Sequence, residues 1–153
     1  MVLQDVNDVI GNYTGLSREV LEYSRIMKRM VDSAGQPGFS VASWAPLAEL
    51  IAIEEFERVG NFKEVMNWQD YVSFLTNWAV SSDWECSFRR VTEAENVVFL
   101  ELEERSRMGD FSSVVNSVSV YEFNSAGKIR HIDIDLQMEL PGSEVLKNYE
   151  GVL

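Results

Sequence analysis

A chain of 153 residues with 46% apolar side chains has the length of one ordinary domain and is too apolar to be disordered. Thirteen Lys and Arg against 25 Asp and Glu leave a net charge of -12 with no basic run to offset it, which argues against nucleic acid and anionic membrane surfaces as partners. Cys86 is the lone cysteine and His131 the lone histidine, so an intramolecular disulfide is impossible and a Cys/His zinc site would lack ligands.

The opening MVLQDVNDVIGNY has neither the basic start nor the apolar stretch of a signal peptide, and nowhere do about 18 apolar residues run together. A soluble protein of a reducing, cytoplasmic compartment is expected. Residues 1–153 should form a single domain, without repeats, low-complexity tracts or linkers.

A short helical piece around Asp5 to Asn12 is broken by Gly11 and Gly15. Ser17 then stands where it can cap a long helix, whose Leu16, Val20, Tyr23, Met27 and Met30 recur at helical spacing and share one buried face. SAGQPG, Ser33 to Gly38, ends it, and Ser43 opens a second helix that tolerates Pro46 in its first turn. IAIEEFERVG, Ile51 to Gly60, is short, β-like and closed by a glycine, and reads as a first strand. Asn67, with Asp70 three residues on, starts a third helix lined on one side by Trp68, Tyr71, Val72, Leu75, Trp78 and Ala79. From Trp84 the period falls to two. Four strands follow, Trp84 to Val91, Val97 to Met108, Ser113 to Phe123 and Lys128 to Met138, with TEAEN, GDF and NSAG as turns.

The order helix, helix, strand, helix, four strands describes an α+β fold. The last four strands should form an antiparallel meander, and a helical layer must cover one face of that curved sheet. The conical space between helices and sheet is where a small ligand would bind. The element order, the helix NWQDYVSFLTNWAV and the strand-turn-strand YEFNSAGKI resemble the nuclear-transport-factor-2-like superfamily. That superfamily has the cystatin-like α+β cone fold and includes ketosteroid isomerases, limonene-epoxide hydrolases, scytalone dehydratases and SnoaL-like polyketide cyclases. Its members do unrelated chemistry on one cone, so function must come from the site.

Strand parity decides what faces the cone, because successive side chains point to opposite faces. On the last strand Ile132, Ile134, Leu136 and Met138 form an apolar row, while His131, Asp133 and Asp135 form a polar one. Burying the polar row would desolvate two carboxylates and an imidazole without a partner on that strand, so the aliphatic row points in. Three ligands spread over roughly 13 Å of strand also cannot meet on one ion, and no metal site is expected. On the preceding strand the resemblance puts Ser117, Ser119 and Tyr121 on the cavity side. Val114, Asn116, Val118 and Val120 then lie outside, where homodimerisation through the outer sheet face, common in that superfamily, would cover them. On Val97 to Met108 the apolar row Val98, Leu100 and Leu102 turns Glu101 and Glu103 away. Arg90 is inward if Cys86 and Phe88 are.

Candidates for chemistry follow from the same likeness. EFERVG resembles the ketosteroid-isomerase stretch in which an acid followed by x-Val-Gly is the general base, and this implies Glu57 in that role, with Glu55 the alternative if the strand carries a bulge. Tyr23 stands roughly where that family carries its oxyanion-donor tyrosine, and Ser119 replaces its second acid. A carboxylate in an apolar cavity gains basicity by desolvation, and a phenol can donate to an enolate oxygen, so the combination suits proton abstraction. Ile134 occupies the position of an aspartate in epoxide hydrolases and several cyclases. Tyr121, Ile132, Ile134, Leu136 and Trp78 are expected at the cavity wall. The plainer readings are a solvated Glu57, a core Tyr23, and a Ser119 whose small size lets the sheet curve.

Two functions are therefore carried forward. One is a small hydrophobic-ligand-binding cone, an isomerase, dehydratase or cyclase working without a cofactor through a cavity carboxylate. The other is a non-catalytic dimeric ligand carrier or protein-interaction module, which is favoured if the cavity falls short of about 300 Å³. A structural subunit similar to the small subunit of ring-hydroxylating dioxygenases is a third.

Overall fold

The computed structural model describes residues 2–137, 147 and 151. Its helices are α1 (Val6–Val9), α2 (Gly15–Ser33), α3 (Ala45–Ala48) and α4 (Trp68–Ser81). Its strands are β1 (Glu57–Val59), β2 (Val65–Met66), β3 (Asp83–Ala94), β4 (Val97–Met108), β5 (Phe111–Phe123) and β6 (Ile129–Leu136).

The long helix begins two residues before Ser17, at Gly15. Thr14 stands at the N-cap but makes no side-chain cap bond. The free donors of that first turn are met from the sheet instead, where the Ser17 amide and hydroxyl both donate to Glu93 Oε1 of β3, at 2.9 and 2.7 Å. Ser17 is thus an anchor between helix and sheet. Along α2, Val20, Tyr23 and Met27 of the expected stripe are buried, with Leu16 and Met30 packed at its margins.

The second helix is shorter than its pattern suggests. Ser40 caps a 3-10 turn over Val41–Trp44, which runs into the single turn of α3 with Pro46 in it. Trp44, almost wholly buried, donates its indole N–H to Thr76 Oγ1 at 3.0 Å and ties this segment to α4. Helix α4 starts as expected, since Asn67 Oδ1 accepts the Asp70 amide at 2.8 Å, and its Trp68, Tyr71, Val72, Leu75 and Ala79 are buried.

Strands β3 to β6 form the expected antiparallel meander, in a six-stranded sheet of order β2-β1-β6-β5-β4-β3. The segment Ile51 to Gly60 departs from the expectation. Ile51 makes one parallel bridge to Ile129, the chain turns over Ile53 to Glu55, and only Glu57–Val59 pairs as a strand, parallel to β6. Two residues of β2 close that edge and are too few to show a period in sequence. Met138, placed by sequence on the last strand, lies outside the described residues.

Two irregularities shape the sheet. The register shifts between Phe88 and Arg90, and again between Glu122 and Phe123, as β-bulges do where a strand must bend. The first bulge reverses the parity of β3, so that Arg90 points outward to Glu101 rather than following Cys86 and Phe88 inward. The turn into β6 uses Gly127 at φ 76°, a left-handed conformation that favours glycine. Between β3 and β4, Glu95 adopts φ 57° in a two-residue turn, and the Asn96 side chain secures it by donating to the Phe123 carbonyl at 3.0 Å. The buried apolar side chains form one cluster between the helices and the inner sheet face. No described helix is long and apolar enough to cross a membrane.

Candidate functional site

Between α2, α4 and the inner face of the sheet lies a cavity of about 200 Å³. Helix α2 contributes Tyr23 and Met27, α4 contributes Tyr71, Leu75 and Trp78, and the strands add Arg58, Trp84, Leu102, Glu104, Ser119, Tyr121, Ile134 and Leu136. Among the described lining residues Glu104 is the one acid and Arg58 the one base.

The polar floor is built from phenols. The Tyr23 and Tyr71 hydroxyls are 2.5 Å apart, and the Tyr121 ring meets Tyr23 edge-on with centroids 5.3 Å apart. Burial pushes the Tyr23 and Tyr121 hydroxyls well above the ordinary phenol range, with neighbouring Tyr71 adding to both shifts. Burial also raises Tyr71, partly opposed by its bond to Tyr23 and by the Arg58 guanidinium beside it. All three therefore stay protonated and act as neutral donors. Two hydroxyls share one bond in the Tyr23–Tyr71 pair, so whichever donates, one proton of the pair remains to be offered elsewhere.

Glu104 sits farther along β4, where its Oε1 accepts the Trp84 indole N–H at 2.9 Å. On the neighbouring strand Cys86 is directly opposite, and burial, with Glu104 adding to it, pushes its thiol up to about 12. Cys86 is thus an unreactive neighbour at neutral pH. The aromatic wall is completed by Trp78 and Trp84, with centroids 5.8 Å apart.

The structure brings together Tyr23, Ser119, Tyr121, Trp78, Ile134 and Leu136, all of which line the cavity. Ile132 points inward as expected but is packed in the core, fully shielded, and does not reach the cavity wall. Glu57 does not enter the site. It lies beside β6 opposite His131, on the outer face, with its Oε1 3.3 Å from His131 Nδ1 and its side chain about half exposed. The inward parity on β1 belongs to Arg58. Glu55 is also outside, accepting from the Asn124 side chain at 3.2 Å. His131 completes the outer row with Nε2 2.9 Å from Asp133 Oδ1, and the described residues contain no group of three or more His, Cys, Asp or Glu that could hold a metal.

Glu104, Tyr71 and Arg58 are among the lining residues that the sequence did not single out for the site. Glu104 was legible, being the next member after Val98, Leu100 and Leu102 of the inward row. Tyr71 lies on the face of α4 already marked as buried. Arg58 carried no apolar signal and directly follows Glu57, the residue to which the family likeness points.

No protein-family model and no curated sequence matches the chain. Solved structures do. A provisionally assigned isomerase from Rhodopseudomonas palustris superposes with TM-score 0.63 over 78% of this chain and 90% of its own, at 11% identity. The chain has the nuclear-transport-factor-2-like fold. Such a protein of unknown function from Cytophaga hutchinsonii matches over 82% of this chain and 92% of its own (TM-score 0.58, 11% identity). An epoxide hydrolase of the limonene-epoxide-hydrolase type from Mycobacterium tuberculosis matches over 74% and 84% (TM-score 0.54, 11% identity). At these identities the likeness is one of fold, the cystatin-like cone, and it names neither a reaction nor a ligand.

Proposed function

We propose that the protein binds a small hydrophobic molecule inside the cone and moves a proton on it, with Glu104 as general base and the Tyr23–Tyr71 pair as donor to the oxygen that gains charge. The supporting observation is a cavity whose wall holds buried, neutral phenols and one carboxylate among apolar side chains. An isomerase, dehydratase or cyclase step of this kind needs a base to take a proton beside a carbonyl and donors to hold the resulting enolate. Cavity size limits the ligand. A cavity of about 150 Å³ accepts benzene, so one of about 200 Å³ suits a single ring with a short substituent and is too small for a polycycle.

That volume is also below the about 300 Å³ at which drug-sized sites begin, and this favours a second, non-catalytic reading as a carrier of the same small ligand. In either reading a second copy of the chain would cover the outer apolar patch of Phe99, Val114 and Val118, each more than a third exposed.

Exchange of the methyl protons of acetophenone into deuterated water, followed by proton NMR, separates the readings. The wild-type chain should accelerate exchange, Glu104→Gln should lose about 100-fold or more, and Glu57→Gln should match wild type. Exchange that survives Glu104→Gln but not Glu57→Gln contradicts the assignment. Binding without any acceleration leaves the carrier.

A further inference from the structure

Arg58 is a nine-tenths buried cation at the cavity wall whose donors are only partly used. Its Nη1 donates to Glu64 Oε1 at 3.2 Å, and its Cζ sits 5.4 Å from the ring centres of both Tyr71 and Phe74. The stacking fixes the plane of the guanidinium. Its Nε–H, on the edge turned away from Nη1, is buried and finds no partner among the described residues. A buried donor without a partner is costly, and more so when it is charged. Beside it, the Tyr23–Tyr71 pair has one hydroxyl proton left over. An unpaired charged donor and a spare hydroxyl proton thus stand at the cavity wall, while one oxygen of its described carboxylate, Glu104 Oε1, is engaged by Trp84.

We infer that the ligand is a small carboxylate, a single apolar ring or branched chain whose carboxyl group is received on the Nε–H side of Arg58. Two oxygens on one planar group match a guanidinium edge as a single carbonyl does not, and a charge-assisted pair is roughly twice as strong as a neutral bond. The apolar remainder lies along Leu75, Trp78 and Ile134. This rests on the reading of the cavity as a ligand site and names the class of ligand it takes.

Benzoate and benzamide, nearly equal in shape and different in charge, are the probes, titrated against the full chain with Trp78 and Trp84 fluorescence and calorimetry as readouts. Wild type should bind benzoate at least about 10-fold more tightly than benzamide, in keeping with a charge-assisted pair. Arg58→Met, which keeps the apolar stem, should erase that preference and leave benzamide binding within a factor of about two. Glu64→Gln, which leaves the guanidinium in place and removes its competing carboxylate, should strengthen benzoate alone. Equal binding of both probes to wild type, or a preference that survives Arg58→Met, overturns the carboxylate assignment while the ligand cavity stands. Weaker benzoate binding in Glu64→Gln overturns it in the same way, including where Arg58→Met does not fold. Failure of both probes to bind overturns the cavity reading together with it.

Discussion

On β6, residues one step apart live in different solvents. Ile132 is fully shielded and Ile134 lines the cavity, whereas on the outer face His131 lies 3.3 Å from Glu57 and 2.9 Å from Asp133. By residue type the outer row is the one that looks chemical, since it joins an imidazole to two carboxylates. Yet its groups remain partly hydrated, so their mutual attraction is screened and little is gained by holding them in place. The inner face holds fewer charged groups, Arg58 and Glu104, but there the low dielectric and fixed rings make each hydrogen bond count. Chemistry in this fold is read from burial and convergence, and residue type alone misleads.

Inverting the two faces should give the largest effect. Ile132→Asp places a carboxylate in the core with no partner and should cost about 4 kcal/mol or more, seen as loss of the cooperative thermal transition or a large fall in its midpoint. Within the phenol floor, Tyr23→Phe removes one hydroxyl and deprives Tyr71 of its 2.5 Å partner, for a loss of about 1–3 kcal/mol in denaturant unfolding.

The buried phenols also predict an alkaline weakness. An unfolded chain releases its tyrosine protons near pH 10, while the native state holds those of Tyr23, Tyr71 and Tyr121 to higher pH because burial raises all three. The stabilisation is whole below about pH 10 and is lost as pH climbs towards the raised native values, with Cys86 adding to the fall from about pH 9 upward. Denaturant midpoints measured from pH 8 to 11 should drop steeply in wild type and less steeply in Tyr23→Phe. At the other end of the scale, His131→Ala breaks only part-exposed pairs and should change stability by about 1 kcal/mol or less.

The meander and the long helices were legible because each carries a sustained period. Strands β3 to β6 were recovered to within three residues at their described ends; the inward row of β6 was read correctly from parity, and that of β5, where both sides are partly apolar, from the family resemblance. What failed did so where the period is short or broken. The three residues of β1 cannot reveal which side is wet, and the family likeness of EFERVG pulled attention to Glu57 when its neighbour Arg58 faces the cone. The bulge after Phe88 inverted Arg90 without a glycine or proline to announce it. Glu104 was lost for a different reason, because the inward row of β4 shows itself by its apolar members and these end at Leu102, one step short of the acid.

The most direct test of the inner-face account is methyl-detected NMR on Ile, Leu and Val side chains during a titration with benzoate. The shifts should concentrate on Leu75, Leu102, Ile134 and Leu136, which line the cavity, with Val114, Val118 and Val120 of the outer face unmoved. Shifts confined to the outer valines would contradict it.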